Sequence, residues 1–147
     1  MTKKVFQITK STYDDILKAI TNKKPEQGCI IGGSKGTIID NFYYDKKPTF
    51  SSISSYIPNT GKLNEIINDV WKRKNIKFIG MIHSHLINNG ISDEDIDFAR
   101  AILSSSSEME YVLMGICGLD YLYNLKDFSW YQVFQEQVIS ADIVIIQ

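Results

Sequence analysis

With 147 residues, 44% apolar and 22% charged, the chain can bury one hydrophobic core, and its composition is not that of a disordered segment. Sixteen basic residues nearly balance seventeen acidic ones, so no strongly basic field exists to hold nucleic acid or an anionic membrane. The longest apolar run, VLMGICGL (112–119), is too short to span a bilayer, and no apolar run follows the basic start MTKKVFQITK, so a cytoplasmic protein is expected.

KVFQI (4–8) alternates and reads as a short strand. Ser11 or Thr12 can then cap a helix over 12–22, with Tyr13, Ile16, Leu17 and Ile20 on one face and Pro25 beyond its end. GCIIGG (28–33) is a continuous apolar run bounded by glycines, the pattern of a central strand. GTIIDNFYY (36–44) follows a tight Ser-Lys-Gly turn and suggests a hairpin. Residues 45–52 are polar, contain Pro48 and read as a loop; SISSYI (52–57) reads as one further strand. Leu63, Ile66, Ile67 and Val70 or Trp71 recur at helical spacing, which predicts a second helix over 60–74.

IKFIGMIHSH (76–85) is strand-like, and loop 86–91 with Asn88-Asn89-Gly90 leads to a third helix over 93–104. EYVLMGIC (110–117), LDYLYNL (119–125), SWYQVFQEQVI (129–139) and DIVIIQ (142–147) read as C-terminal strands. Their aromatics (Tyr111, Tyr121, Tyr123, Phe128, Trp130, Tyr131) are read as sheet core. Helices interspersed with hairpin-connected strands predict one α+β domain over 1–147, with a mixed, mostly antiparallel sheet and flanking helices. Cys29 and Cys117 lie far apart and form no Cys-x-x-Cys pair; buried free thiols are expected rather than a disulfide.

Both histidines of the chain lie in one stretch, His83-Ser84-His85. On a strand, residues i and i+2 share a face, so two imidazoles stand side by side while Ser84 points the other way. That pair suits one divalent metal, and a zinc site that does chemistry takes three protein ligands and keeps one position open. No histidine remains, so the third ligand must be a carboxylate from Asp93, Glu94, Asp95 or Asp97. With Ser92 as N-cap, Asp95 falls at the third helical position and folds back towards the helix start, whereas Asp93 and Glu94 read as dipole-favoured solvent residues. Taken alone, Ser92-x-x-Asp95 reads as a capping box rather than a ligand.

Together these residues resemble the JAMM (MPN+) metallopeptidase family. Its signature is an upstream glutamate, then His-Ser/Thr-His, usually seven residues, then Ser-x-x-Asp. Here His83-Ser84-His85, six residues, Ser92 and Asp95 follow that order, and PEQGCIIGG (25–33) places Glu26 where the family carries its glutamate. Leu86 stands where most members have proline. The resemblance covers about residues 5–125 and implies a JAB/MPN fold of cytidine-deaminase-like type. It also implies Zn²⁺ held by His83, His85 and Asp95, Glu26 as general base and then acid, and Ser92 as hydrogen-bond donor to the oxyanion.

The implied reaction is zinc-dependent cleavage of a peptide or isopeptide bond at the C-terminal tail of a ubiquitin-like or sulfur-carrier protein. Such a tail can add as a strand at a sheet edge, for which SSISSYI (51–57) is a candidate. Two further readings are a non-catalytic scaffold of the same fold and a phage or cell-wall amide hydrolase. Scaffold members usually lose ligands, whereas all five expected polar residues are present here.

Overall fold

The computed structural model describes residues 4–88 and 90–147. Strand β1 (Val5–Thr9) leads directly into helix α1 (Lys10–Ile20). The helix starts earlier than expected because Thr9, still extended, is the N-cap: its hydroxyl accepts the Thr12 N–H. Strands β2 (Gly28–Gly33), β3 (Ile38–Ile39) and β4 (Asn41–Tyr44) follow. The expected single strand over 36–44 is therefore divided. Its second half makes the hairpin with β2, while Ile38 and Ile39 peel away to pair with β1.

The segment read as a loop followed by one strand is a small hairpin, β5 (Phe50–Ser52) and β6 (Ser55–Ile57). Helix α2 (Thr60–Glu65), capped by Asn59, runs into a π-helical segment, Ile66–Trp71. Strand β7 (Lys77–Leu86) carries the histidines, and helix α3 (Asp93–Ser105) follows it. Between them, Asn89 lies outside the described residues. The positive φ values in this connection fall at Ile87 (+58°) and Gly90 (+86°), and the Asn88 side chain accepts the Gly90 N–H.

Strands β8 (Val112–Leu119), β9 (Leu125–Val133), β10 (Val138–Ser140) and β11 (Asp142–Ile146) complete the chain. The strand expected over 119–125 is instead the turn between β8 and β9. Its alternating pattern is overridden by Asp120, whose carboxylate accepts the N–H groups of Leu122 and Asn124 while Tyr123 adopts a φ of +65°. Tyr121 consequently projects into solvent, 77% exposed, rather than joining the core. The strand expected over 129–139 is also broken, by a turn in which the Phe134 N–H bonds Gln137 O.

The main sheet has the order β10-β9-β8-β7-β2-β4, with only β7 and β8 parallel. A second sheet, β11-β1-β3, is parallel throughout. This is the mixed α+β architecture expected. One face of the main sheet (Cys29, Ile31, Ile82, Cys117) packs on Phe6 and Ile8 of β1 and on Ile16 and Ile20 of α1. The other face (Ile30, Met81, Met114) packs on Leu63 and Ile66 and on Ala99 and Leu103 of α3. Both cysteines are buried free thiols, as expected, and burial pushes both thiols up, Cys117 to about 12. Among the described residues no helix is long and apolar enough to cross a membrane.

Because β7 and β8 are parallel, α3 is the crossover between them. A crossover helix begins beyond the carboxyl end of the first strand, where ligand sites of α/β units gather. His83 and His85 occupy that end of β7, on the same face as Met81, which is the face covered by α3.

Candidate metal centre

His83 is 2% exposed, on strand β7 between β2 and β8, where it pairs with Gly28 and Ile116. Its Nδ1 donates to Asp95 Oδ1 at 3.0 Å. With that proton in place, Nε2 carries the free lone pair; it is buried and has no hydrogen-bond partner among the described residues. A buried ring nitrogen without a partner is costly unless a ligand completes it. His85 lies nearer the surface, its Nε2 3.5 Å from Asp95 Oδ2 and 3.9 Å from Glu26 Oε1. Donor atoms of Glu26, His83 and His85 all lie within 4.8 Å of one another.

Asp95 is buried at the third position of α3, and its local role is the expected capping box. The Ser92 hydroxyl accepts the Asp95 N–H at 3.1 Å, and Asp95 Oδ2 accepts the Ser92 N–H at 3.3 Å. The same carboxylate also meets both imidazoles. Asp93 and Glu94 are exposed, as their first-turn positions imply, and Asp97 is exposed as well. Burial alone would push the Asp95 pKa up, but hydrogen bonds from His83 and His85 outweigh it and hold the carboxyl well below its usual range. For His85, burial pulls down, yet the bond to Asp95 and the charge of Glu26 leave its pKa raised.

Glu26, 7% exposed, has its pKa raised by burial, only partly offset by the histidines. Two strands fix its segment. Its N–H donates to Ser52 O at 2.8 Å, and Ser51 Oγ donates to its carbonyl at 2.7 Å, so β5 clamps the Glu26 peptide from both sides. The next residue is stitched to β7: the Gln27 N–H donates to Ser84 Oγ at 2.8 Å, and the Ser84 N–H donates to Gln27 O at 2.9 Å. Ser84 thus joins the Glu26 segment to the histidine strand, as its position on the opposite face suggests.

Glu26, His85, Ser92 and Asp95 line an open cleft of about 480 Å³, with Ile53, Leu86, Ile87 and Ile91 as apolar walls. Ser55 Oγ lies 3.5 Å from Glu94 Oε2, linking the hairpin to the start of α3 across the cleft. A larger hollow of about 630 Å³, between α2 and α3, is lined by Leu63, Ile67, Phe98 and Ile102 and has no histidine in its wall. Of the five residues expected from the sequence, Glu26, His85, Ser92 and Asp95 line the first cleft, and His83 is buried beside it, bonded to Asp95. Sequence reasoning missed Ser51, Ser52, Asp45 and Tyr56. No local spacing marks them; only the fold of the 50–57 hairpin onto Glu26 and His83 does.

No protein-family model matches the chain, and no curated protein matches its sequence. Solved structures do. Protein DSY2949 from Desulfitobacterium hafniense superposes with a TM-score of 0.74 at 13% identity, covering 97% of this chain and 94% of that one. AF2198, a JAB1/MPN domain protein from Archaeoglobus fulgidus, superposes with a TM-score of 0.53 at 18% identity, covering 95% of this chain and 99% of that one. At these identities the likeness concerns the fold, and the fold is of the JAB1/MPN type.

Proposed function

We propose that the chain is a zinc-dependent hydrolase that cleaves a peptide or isopeptide bond at the C-terminal tail of a ubiquitin-like or sulfur-carrier protein. One observation carries this reading: among the described residues the buried Nε2 of His83 has no partner, and its ring is grouped with His85 and Glu26 and bonded to Asp95 beside an open cleft. Two imidazoles with a carboxylate form a donor set that suits zinc. His83, His85 and Asp95 would hold the ion. When bound, zinc supplies Lewis acidity, drawing the pKa of a water towards neutrality and polarising the scissile carbonyl.

The division of labour between the two carboxylates follows from their environments. Asp95 is held anionic by its two imidazole partners and suits a ligand. Glu26 is pushed up by burial, towards the range in which a carboxylate can take a proton and give it back. Glu26 accepts the proton of the attacking water and returns it to the nitrogen of the departing amine. Ser92 stabilises the oxyanion between these transfers. Its cap uses only an oxygen lone pair, so the hydroxyl proton remains to be donated. The 50–57 hairpin beside Glu26 supplies an edge for an extended tail.

A second arrangement is favoured by the 4.8 Å grouping of Glu26 with both imidazoles: Glu26 as third ligand, and Asp95 as the carboxylate that orients His83. Zinc content of Glu26→Gln and Asp95→Asn separates the two. Under the proposed assignment Glu26→Gln keeps zinc and loses hydrolysis, and Asp95→Asn loses zinc. Hydrolysis is read on a ubiquitin-like tail joined through its C-terminal carbonyl to a fluorogenic amine. Zinc binding without cleavage of any tail would favour the scaffold reading, and cleavage confined to cell-wall peptides would favour the phage-type hydrolase.

A further inference from the structure

We propose that Tyr56 is a positioning residue for His83, its ring fixing the plane of the imidazole that offers Nε2 to the metal; the inference rests on the metal reading above. Tyr56 lies on β6 and is 8% exposed. Its ring centroid is 4.6 Å from that of His83, with the planes tilted by 58°. The ring occupies a slot made by a glycine. Gly28 is the cross-strand partner of His83, and a Cβ there would fall 2.5 Å from Tyr56 Cζ. Any side chain at position 28 would drive the ring off the imidazole.

The far end of Tyr56 is anchored as well. Its hydroxyl donates to the buried carboxylate of Asp45, whose Oδ2 also accepts the Asn59 N–H at 3.0 Å. The Asp45 N–H in turn donates to Gly28 O at 3.0 Å. Gly28, Asp45, Tyr56 and His83 therefore form a closed ring of contacts, each holding the next. Asp95 constrains His83 at Nδ1, but one hydrogen bond leaves the ring free to rock about it. The tyrosine ring packed against it removes that freedom. An ordinary core tyrosine needs neither a glycine slot opposite a metal ligand nor a buried carboxylate for its hydroxyl.

The test measures zinc affinity and the visible spectrum of the Co²⁺-substituted protein for Tyr56→Leu, Tyr56→Met and Tyr56→Phe, beside the core control Leu63→Ala. Leu63 lies on α2 and is buried against the sheet face that carries His83. Losing the ring should weaken zinc binding by about 10- to 100-fold, as removal of supports behind metal ligands does, and should shift the cobalt bands. Tyr56→Met keeps most of the volume and guards against a Leu variant that fails to fold. Tyr56→Phe keeps the ring and should rescue zinc affinity and spectrum while melting lower, because Asp45 loses a donor. Leu63→Ala should melt lower with zinc affinity unchanged. Wild-type affinity and spectrum in the Leu or Met variant would overturn the proposal, as would a Phe variant as weak as they are. A wild type that binds no zinc would overturn the metal reading and this inference together.

Discussion

Ser92 is given two tasks, and its substitution separates them. The Ser92 hydroxyl accepts the Asp95 N–H at 3.1 Å, one half of the capping box. The other half, the Ser92 N–H to Asp95 Oδ2 at 3.3 Å, uses backbone and survives Ser92→Ala. The variant therefore loses one cap bond, about 1 kcal/mol. For a chain of this length that lowers the melting temperature by roughly 2–4 °C. A loss of that size leaves nearly all molecules folded at 25 °C, since domains are typically stable by about 5–15 kcal/mol, so it cannot by itself slow turnover appreciably. Removing one oxyanion donor slows turnover by on the order of 10²-fold, about 2.7 kcal/mol of transition-state stabilisation. Ser92→Gly recovers most of the cap energy but not the donor, so it should melt near the wild type and remain about 10²-fold slow. Ser92→Thr should retain both properties. The assays are thermal melts, zinc content and cleavage of the fluorogenic tail conjugate. Wild-type turnover in Ser92→Ala, or turnover that tracks melting temperature across the series, would refute the donor role and leave Ser92 a cap alone.

Glu26→Gln should retain one zinc per chain while hydrolysis falls by about 10²-fold or more; full activity would place the base elsewhere. His85→Ala should abolish stoichiometric zinc, and equal metal content in variant and wild type would sink the ligand assignment. Asp95→Asn should weaken zinc binding far more than Asp93→Asn, because Asp95 is buried against both imidazoles and Asp93 is exposed; the opposite order would shift the helix register of the site. For pH, His85 is raised in the metal-free fold, so its stabilising pairing is fully present below the ordinary histidine pKa and is lost as pH rises through the raised value. Asp95 is depressed, so its contribution is present above the ordinary carboxylate pKa and is lost as pH falls towards the lowered value. Metal-free protein should therefore melt highest in the mildly acid window between those two ordinary values, about 4 to 6.5. Zinc, which must displace the His85 proton, should bind more weakly as pH falls through that window. A metal-free melting temperature that is flat from acid to neutral pH would contradict the pairing.

Short-range stereochemistry is what the sequence determines by itself here. His83 and His85 share a face because a strand repeats every two residues, and Asp95 folds back on Ser92 because a helix places its third residue there. GCIIGG, buried throughout, reads as a central strand for the same local reason. The same logic fails where a side chain rewrites the backbone locally, as Asp120 does when it turns LDYLYNL into a loop. It also misplaces the start of α1, where Thr9 caps from inside a strand. Tertiary structure alone decides that β7 and β8 are parallel, which makes α3 a crossover helix and brings its first turn to the histidines. It alone brings Glu26 to them through the stitching of Gln27 to Ser84, and folds residues 50–57 so that Ser51 and Ser52 hold Glu26 while Tyr56 lies on His83 over Gly28. Those contacts join residues far apart along the chain, and strand register, not local spacing, sets which side chains they bring face to face.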